Sequence, residues 1–260
     1  MSNTDTITNA LVARFAATLD GCLSAPAQGV APLGIHWCLA PPAVPTRALR
    51  PDGHPPRGSG VSVAAFPRRM WVGGSIAFEG TLRVGDTVAR ATIHRAPVRK
   101  EGRRGAMVLA AEDHDYLVDG RPVVRERRDV AYRGPGGAAP AMIEHATADL
   151  GWSLATDPAL LFRYSALTFN AHRIHYDLSY AVEEEGYAGL LVHGPLQATV
   201  LLNLAATLIG ACPRRFAYRA VSPMIAGAVL VAKGRRTESG ATLWCGTDGG
   251  AVTMRAEATG

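Results

Sequence analysis

Two histidines, an asparagine and an aspartate interrupt an otherwise aromatic and aliphatic stretch, FRYSALTFNAHRIHYD, at residues 162 to 177. Imidazole titrates near neutral pH, so His172 or His175 could take up and return a proton within one catalytic cycle. The same side chains could instead hold a metal, or sit satisfied in a core. H-x-x-H-x-D is a poor zinc spacing. Asp177 precedes LSYAVEEE, where it is placed to cap a short helix, and a capping carboxylate is not free to ligate. No metal is therefore expected. The β-branched and aromatic residues before the cap place the whole stretch ahead of a helix.

A second cluster is His193-Gly194-Pro195. Proline presets the first helical turn without contributing an N–H, and glycine lets another group approach the backbone. The helix that follows would present free N–H groups and the positive end of its dipole, which suits a developing oxyanion. Gly-Pro can equally do no more than start a helix.

These residues need a frame. Residues 195 to 209, PLQATVLLNLAATLI, are apolar on nearly every face, as a helix buried on most sides requires. Three alternating segments follow, Ala226 to Thr237, Ala241 to Gly246 and Ala251 to Thr259, each set off by a glycine-containing turn. The first half repeats the order: an N-terminal helix, then Thr87 to Arg95, Ala106 to Val118 and Pro122 to Arg133. LRVGDTVARATIHR and MIAGAVLVAKGRR share a glycine that opens a long strand at the same point. Between the halves RGPGGAAPA, residues 133 to 141, reads as a linker. A curved antiparallel sheet wrapped round one apolar helix is a hot-dog fold, and two copies give an α+β double hot dog. The expected halves are residues 1–135, non-catalytic and helping to form the substrate site, and residues 142–260, which carry the two clusters.

Bulk properties narrow the class. With 260 residues, 48% of them hydrophobic and 19% charged, the chain can bury a substantial core. Its longest apolar run, Leu190 to Ala211, is broken by His193, Gly194, Pro195, Gln197 and Asn203, so no membrane span is expected. MSNTDTITNALVARFAATLDG reads as a capped amphipathic helix, not a secretory signal. Cys22, Cys38, Cys212 and Cys245 lie far apart with no CxxC pair, which fits a reducing cytoplasm. The net charge of +5 comes almost wholly from arginine, since Lys100 and Lys233 are the only lysines. The basic clusters Arg68-Arg69, Arg103-Arg104, Arg125 to Arg128 and Arg214-Arg215 lack interleaved aromatics, so a solvated surface is expected and no nucleic-acid partner. A small polyanionic ligand such as a nucleotide-tailed cofactor stays open.

Taken together, IHYD, a short helix, the turn GYAGLLV and then HG opening a buried helix resemble the hydratase motif of the MaoC-like, or R-specific, enoyl-CoA hydratases. The resemblance is closer to their double-hot-dog branch, the hydroxyacyl-thioester dehydratase type 2 and mesaconyl- or itaconyl-CoA hydratase group. FRYSALTFNAHRIHYD and VHGPLQATVLL match its C-terminal half, and GIHW, DGHPPRG and PRRMWVGG its N-terminal half. The resemblance implies His175 as principal base and the Gly194 N–H as oxyanion donor. The common motif also carries an aspartate two residues before an Asn-Pro pair. Here the pair is Asn170-Ala171, its antecedent is Thr168, and His172-Arg173 looks like an insertion. Asn170 is the first candidate partner and His172 the second, while Arg173, Arg68, Arg69 and His193 are candidates for substrate binding. The implied activity is reversible hydration of a short branched or dicarboxylic enoyl-CoA, itaconyl-CoA or mesaconyl-C4-CoA, with the CoA thioester as substrate and no cofactor. A 3-hydroxyacyl-thioester dehydratase of fatty acid synthesis and a non-catalytic acyl-thioester binding protein are the alternatives. Hot dogs commonly pair through sheet edges, so a homodimer is expected.

Overall fold

The structure, a computed structural model, describes residues 3–56, 66, 68–102, 105–134 and 146–260. Most of the expected linker, the Arg103-Arg104 pair, and Arg57, Gly58 and Pro67 of the N-terminal family segments lie outside the described residues.

Among the described residues eleven strands form one antiparallel sheet: β1 (Asn3–Thr6), β2 (Arg68–Phe78), β3 (Thr87–His94), β4 (Val98–Gly102), β5 (Gly105–Val118), β6 (Arg121–Arg133), β7 (Leu150–Ala155), β8 (Arg215–Ala220), β9 (Val229–Thr237), β10 (Gly240–Thr247) and β11 (Val252–Thr259). Their order is β1-β3-β5-β6-β2-β8-β11-β10-β9-β7, with β4 pairing to β5. The two ends of this path repeat one strand order outward from a central seam. β2 and β8 meet at the seam, from Gly73 opposite Arg219 to Ala77 opposite Arg215. From the seam outward, β6, β5, β3 and β1 on one side answer β11, β10, β9 and β7 on the other. The shared glycines keep the correspondence: Gly85 ahead of β3 has φ +97° and Gly227 ahead of β9 has φ +95°, left-handed values that disfavour a Cβ. Two residues before each lies an isolated bridge, Val30 to Arg83 and Leu191 to Ile225.

Beyond those bridges the two halves diverge, and the divergence makes the site. After Leu191 comes α3 (Gly194–Ile209), in which every residue from Leu196 to Ala206 is buried. It packs on β9, β10 and β11, so closely that a Cβ on Gly234 would stand 2.6 Å from Leu208 Cδ1. After Val30 the matching stretch holds, among the described residues, two short 3-10 turns, Ile35–Cys38 and Thr46–Ala48. Turns of three or four residues cannot cover the concave face of the first half. That face therefore carries polar side chains, including Arg90, Thr92, Glu112, His114 and Arg128, and it lines a large cleft. At its base, the buried Glu126 accepts from Trp37 Nε1 at 2.9 Å and from both ends of the Arg128 guanidinium at 3.1 to 3.2 Å. Burial alone would raise the Glu126 pKa, but Arg128, His114, His36 and the Trp37 hydrogen bond together outweigh it and hold the carboxyl at about 2.

The expected strands and the buried helix are present, with β9 starting three residues later than Ala226. One expectation is corrected. FRYSALT does not lie ahead of a helix but inside one, α2 (Pro158–Thr168), capped by Asp157, whose Oδ1 accepts the Leu160 N–H at 2.8 Å. Pro158 at its first turn completes that start signal. The helix ends at Phe169 in the left-handed region, φ +50°, and the histidines follow in irregular chain and a 3-10 turn, Arg173–His175. The N-terminal helix is α1 (Asn9–Leu19), with Thr8 capping Leu11. Among the described residues no helix is long and apolar enough to cross a membrane.

Candidate active site

The turn after α2 places the histidines. Asn170 N–H returns to Ser165 O at 2.9 Å, and Asn170 Oδ1 accepts the His172 N–H at 3.0 Å, folding residues 170 to 172 into an Asx turn. An N-terminal loop braces this turn from outside. Arg173 N–H donates to Asp52 O at 3.0 Å, and a Cβ on Gly53, whose φ is +87°, would stand 1.8 Å from Ala171 O. Asp52 and Gly53 thus form one built unit with the histidine motif, assembled from both halves of the chain.

His175 is buried, and its Nδ1 lies 2.8 Å from Leu191 O. A carbonyl only accepts, so Nδ1 carries the proton and Nε2 keeps the basic lone pair. Its ring stacks on His193 at 3.6 Å and meets His172 edge-on at 5.5 Å. Burial, then the neighbouring His193 and His172, push the His175 pKa well below the ordinary imidazole value, so the ring is neutral at pH 7. Gly194 opens α3 on the same cleft wall, and by position its N–H has no intrahelical acceptor. A Cβ there would stand 2.3 Å from Trp71 Cε3. Gln197, one turn on, lines the cleft too, its Oε1 fixed by Thr253 Oγ1 at 2.6 Å.

Of the other candidates, Asn170, His172, Arg68 and Arg69 line the cleft. Arg69 Nη1 lies 3.3 Å from Nε2 of His54, and the His54 ring lies 4.0 Å from that of His172. Arg173 and His193 were expected at the substrate, but neither is among the cleft-lining residues. Arg173 donates to Asp177 at 2.7 and 3.0 Å and to Pro51 O at 3.1 Å, and it covers the Tyr180 ring at 4.1 Å. His193 lies behind His175 with its Nε2 2.8 Å from Ser165 Oγ. Asp177 accepts the Tyr180 N–H at 3.1 Å, the cap its sequence position implied. Thr168 donates its hydroxyl to Tyr164 O at 2.8 Å, inside its own helix.

Sequence reasoning misses His54, Trp71 and Glu185. Glu185 is buried, with Oε1 3.7 Å from His172 Nε2. His54 and Trp71 stand within the N-terminal family segments, which was their available signal. Glu185 had none, because it closes an EEE run that reads as a solvated face.

The buried histidines make folding depend on pH. Burial holds His54 and His193 at about 3 and His36 at about 4. Below about pH 6.5 the unfolded chain binds protons that the folded chain refuses, so stability falls as pH falls. Each group contributes at most about 1.4 kcal/mol per pH unit in that window. Urea midpoints are therefore expected to drop steadily from pH 6.5 to 5, and a flat midpoint over that range would contradict this burial.

Known proteins agree with the architecture. The family described as hydroxyacyl-thioester dehydratase type 2 matches residues 34–226. The mesaconyl-C(4)-CoA hydratase of Chloroflexus aurantiacus is 38% identical over 214 residues, 80% of this chain and 76% of the relative. The solved structure of HtdX from Mycobacterium tuberculosis has a TM-score of 0.71 at 17% identity, with full coverage of both chains. That of a MaoC-like dehydratase from Phytophthora capsici has a TM-score of 0.74 at 15% identity, covering 100% of this chain and 94% of its own. At such identities the two structures speak to the double-hot-dog fold alone.

Proposed function

The chain belongs to the hydroxyacyl-thioester dehydratase type 2 family and is a hydro-lyase; from that premise we propose that it reversibly hydrates a short dicarboxylic enoyl-CoA, mesaconyl-C4-CoA or itaconyl-CoA. The observation that carries the reading is the pairing of His175 and Gly194 on one cleft wall. His175 Nε2, the free nitrogen of a ring pinned through Nδ1, takes a proton from water as the oxygen attacks the β-carbon. Negative charge then develops on the thioester oxygen, where the Gly194 N–H and the positive end of α3 meet it. A protein that only bound acyl thioesters would need no buried imidazole with its tautomer fixed.

The acyl class rests on two supports. The similar Chloroflexus protein is named for mesaconyl-C(4)-CoA, and Arg69 puts a guanidinium into the cleft beside the histidines. A substrate with a second carboxylate would receive a charge-assisted bond there. The cleft, about 2300 Å³, exceeds an ordinary small-molecule site, as a nucleotide-tailed thioester requires. Kinetics against itaconyl-, mesaconyl-, crotonyl- and long-chain enoyl-CoA test the reading. The dicarboxylic esters are expected to lead, and Arg69→Gln should lower the dicarboxylic-to-crotonyl ratio of kcat/KM about tenfold or more. A preference for long chains would favour dehydration of 3-hydroxyacyl thioesters, the same chemistry in reverse.

A further inference from the structure

Hydration needs a second proton, delivered to the α-carbon, and Thr168 stands where the common motif has the aspartate that shares acid–base work. We propose that His172, charge-paired with Glu185, is the general acid that protonates the α-carbon while His175 acts as base, an inference that rests on the hydro-lyase reading.

The two histidines face different neighbours, the arrangement by which one site can keep an acid and a base at the same pH. His175 faces a carbonyl and two other imidazoles, His172 and His193, with no carboxylate against it among the described residues. His172 faces the buried Glu185, whose Oε1 is 3.7 Å from its Nε2. That nitrogen is buried and has no hydrogen-bond partner, although a carboxylate oxygen stands 3.7 Å away. The remaining groups around His172 are His54 at 4.0 Å, with Asp52 and Arg69 on its far side, and His175. Around Glu185 are Tyr180 and Tyr187, both pushed up first by burial and then by the Glu185 charge, and Arg68, whose Nη2 lies near Gly186. Glu185 is therefore the carboxylate facing His172 directly, the partner that the proposed acid requires.

The steps balance. Water gives one proton to His175 Nε2 while its oxygen bonds to the β-carbon, and the alkene electron pair moves to the α-carbon and thioester. The α-carbon then takes a proton from Nδ1 of the His172 imidazolium, whose Nε2–H stays directed at Glu185. The pair resets when His175 returns a proton to His172 through cleft water. Glu185 is a positioning residue here. It holds charge and tautomer without touching substrate, as a triad carboxylate does for its histidine.

The test is the pH dependence of hydration by the wild type, Glu185→Gln and His172→Gln, on whichever enoyl-CoA the wild type turns over best. Removing the carboxylate lowers the proton affinity of His172, so the alkaline limb of kcat/KM in Glu185→Gln should move down by at least about one pH unit. Its kcat should fall about a hundredfold, His172→Gln should fall at least as far, and the double variant should be no slower than His172→Gln alone. A loss in Glu185→Gln that is equal at every pH, or a His172→Gln variant within threefold of wild type, overturns the proposal. If Glu185→Gln fails to fold, His172→Gln alone decides. A wild type that hydrates no member of the panel sinks the reading beneath it instead, before any variant is compared.

Discussion

Replacing His175 with alanine is expected to lower hydration turnover by at least two orders of magnitude while the protein remains folded. The lower bound is the ordinary contribution of a positioned general base, about a hundred- to ten-thousand-fold. The structure gives a reason to expect the upper part of that range. His193, the ring stacked on His175 at 3.6 Å, is itself tied through Nε2 to Ser165 Oγ at 2.8 Å, which holds it back from the vacated position. The fold should tolerate the change, because the lost contacts are one hydrogen bond and two ring contacts beside a much larger core. Circular dichroism and a thermal melt check that point. Near-native turnover in a folded His175→Ala protein would show that another group takes the water proton.

Gly194→Ala should be nearly as damaging for a different reason. The added methyl would stand 2.3 Å from Trp71 Cε3 and 2.9 Å from Cζ3. Trp71 cannot withdraw easily, since it lies edge-on to Trp37 at 6.1 Å and against Tyr218 at 4.7 Å. The first turn of α3 must move instead, and with it the N–H offered to the thioester oxygen. Loss of one oxyanion donor costs about a hundred- to a thousandfold in kcat. Adding Trp71→Leu to Gly194→Ala should recover part of that loss by opening the space. A Gly194→Ala enzyme within threefold of wild type would remove this N–H from the mechanism.

Much of this frame is legible in residue order. The helix over residues 195 to 209 is legible because a helix apolar on every side has few places to go. The strands after Gly85 and Gly227 are legible because alternation and a left-handed glycine coincide there. α2 is not: Phe162, Tyr164 and Thr168 are weak helix formers, and the Asp157-Pro158 start signal lies outside the histidine-bearing stretch. β2 is hidden by Gly73 and Gly74 and by the bulge between Trp71 and Gly73. At the site, IHYD and HG locate His175 and Gly194, but not what surrounds them. Arg173 lies inside the motif yet binds Asp177, a choice made by the short turn between them. Glu185 is buried while Glu183 and Glu184 beside it are exposed, and only the π-helical turn over Tyr180–Glu184 decides which of three identical residues turns inward.

The most direct measurement follows a panel of CoA esters by mass spectrometry in water enriched in heavy oxygen. If the cleft is a hydratase site built on His175 and Gly194, mesaconyl- or itaconyl-CoA gains the mass of one heavy water, the label appears in the new hydroxyl group, and His175→Ala abolishes the gain. Tight binding of the same esters with no gain in mass would contradict it.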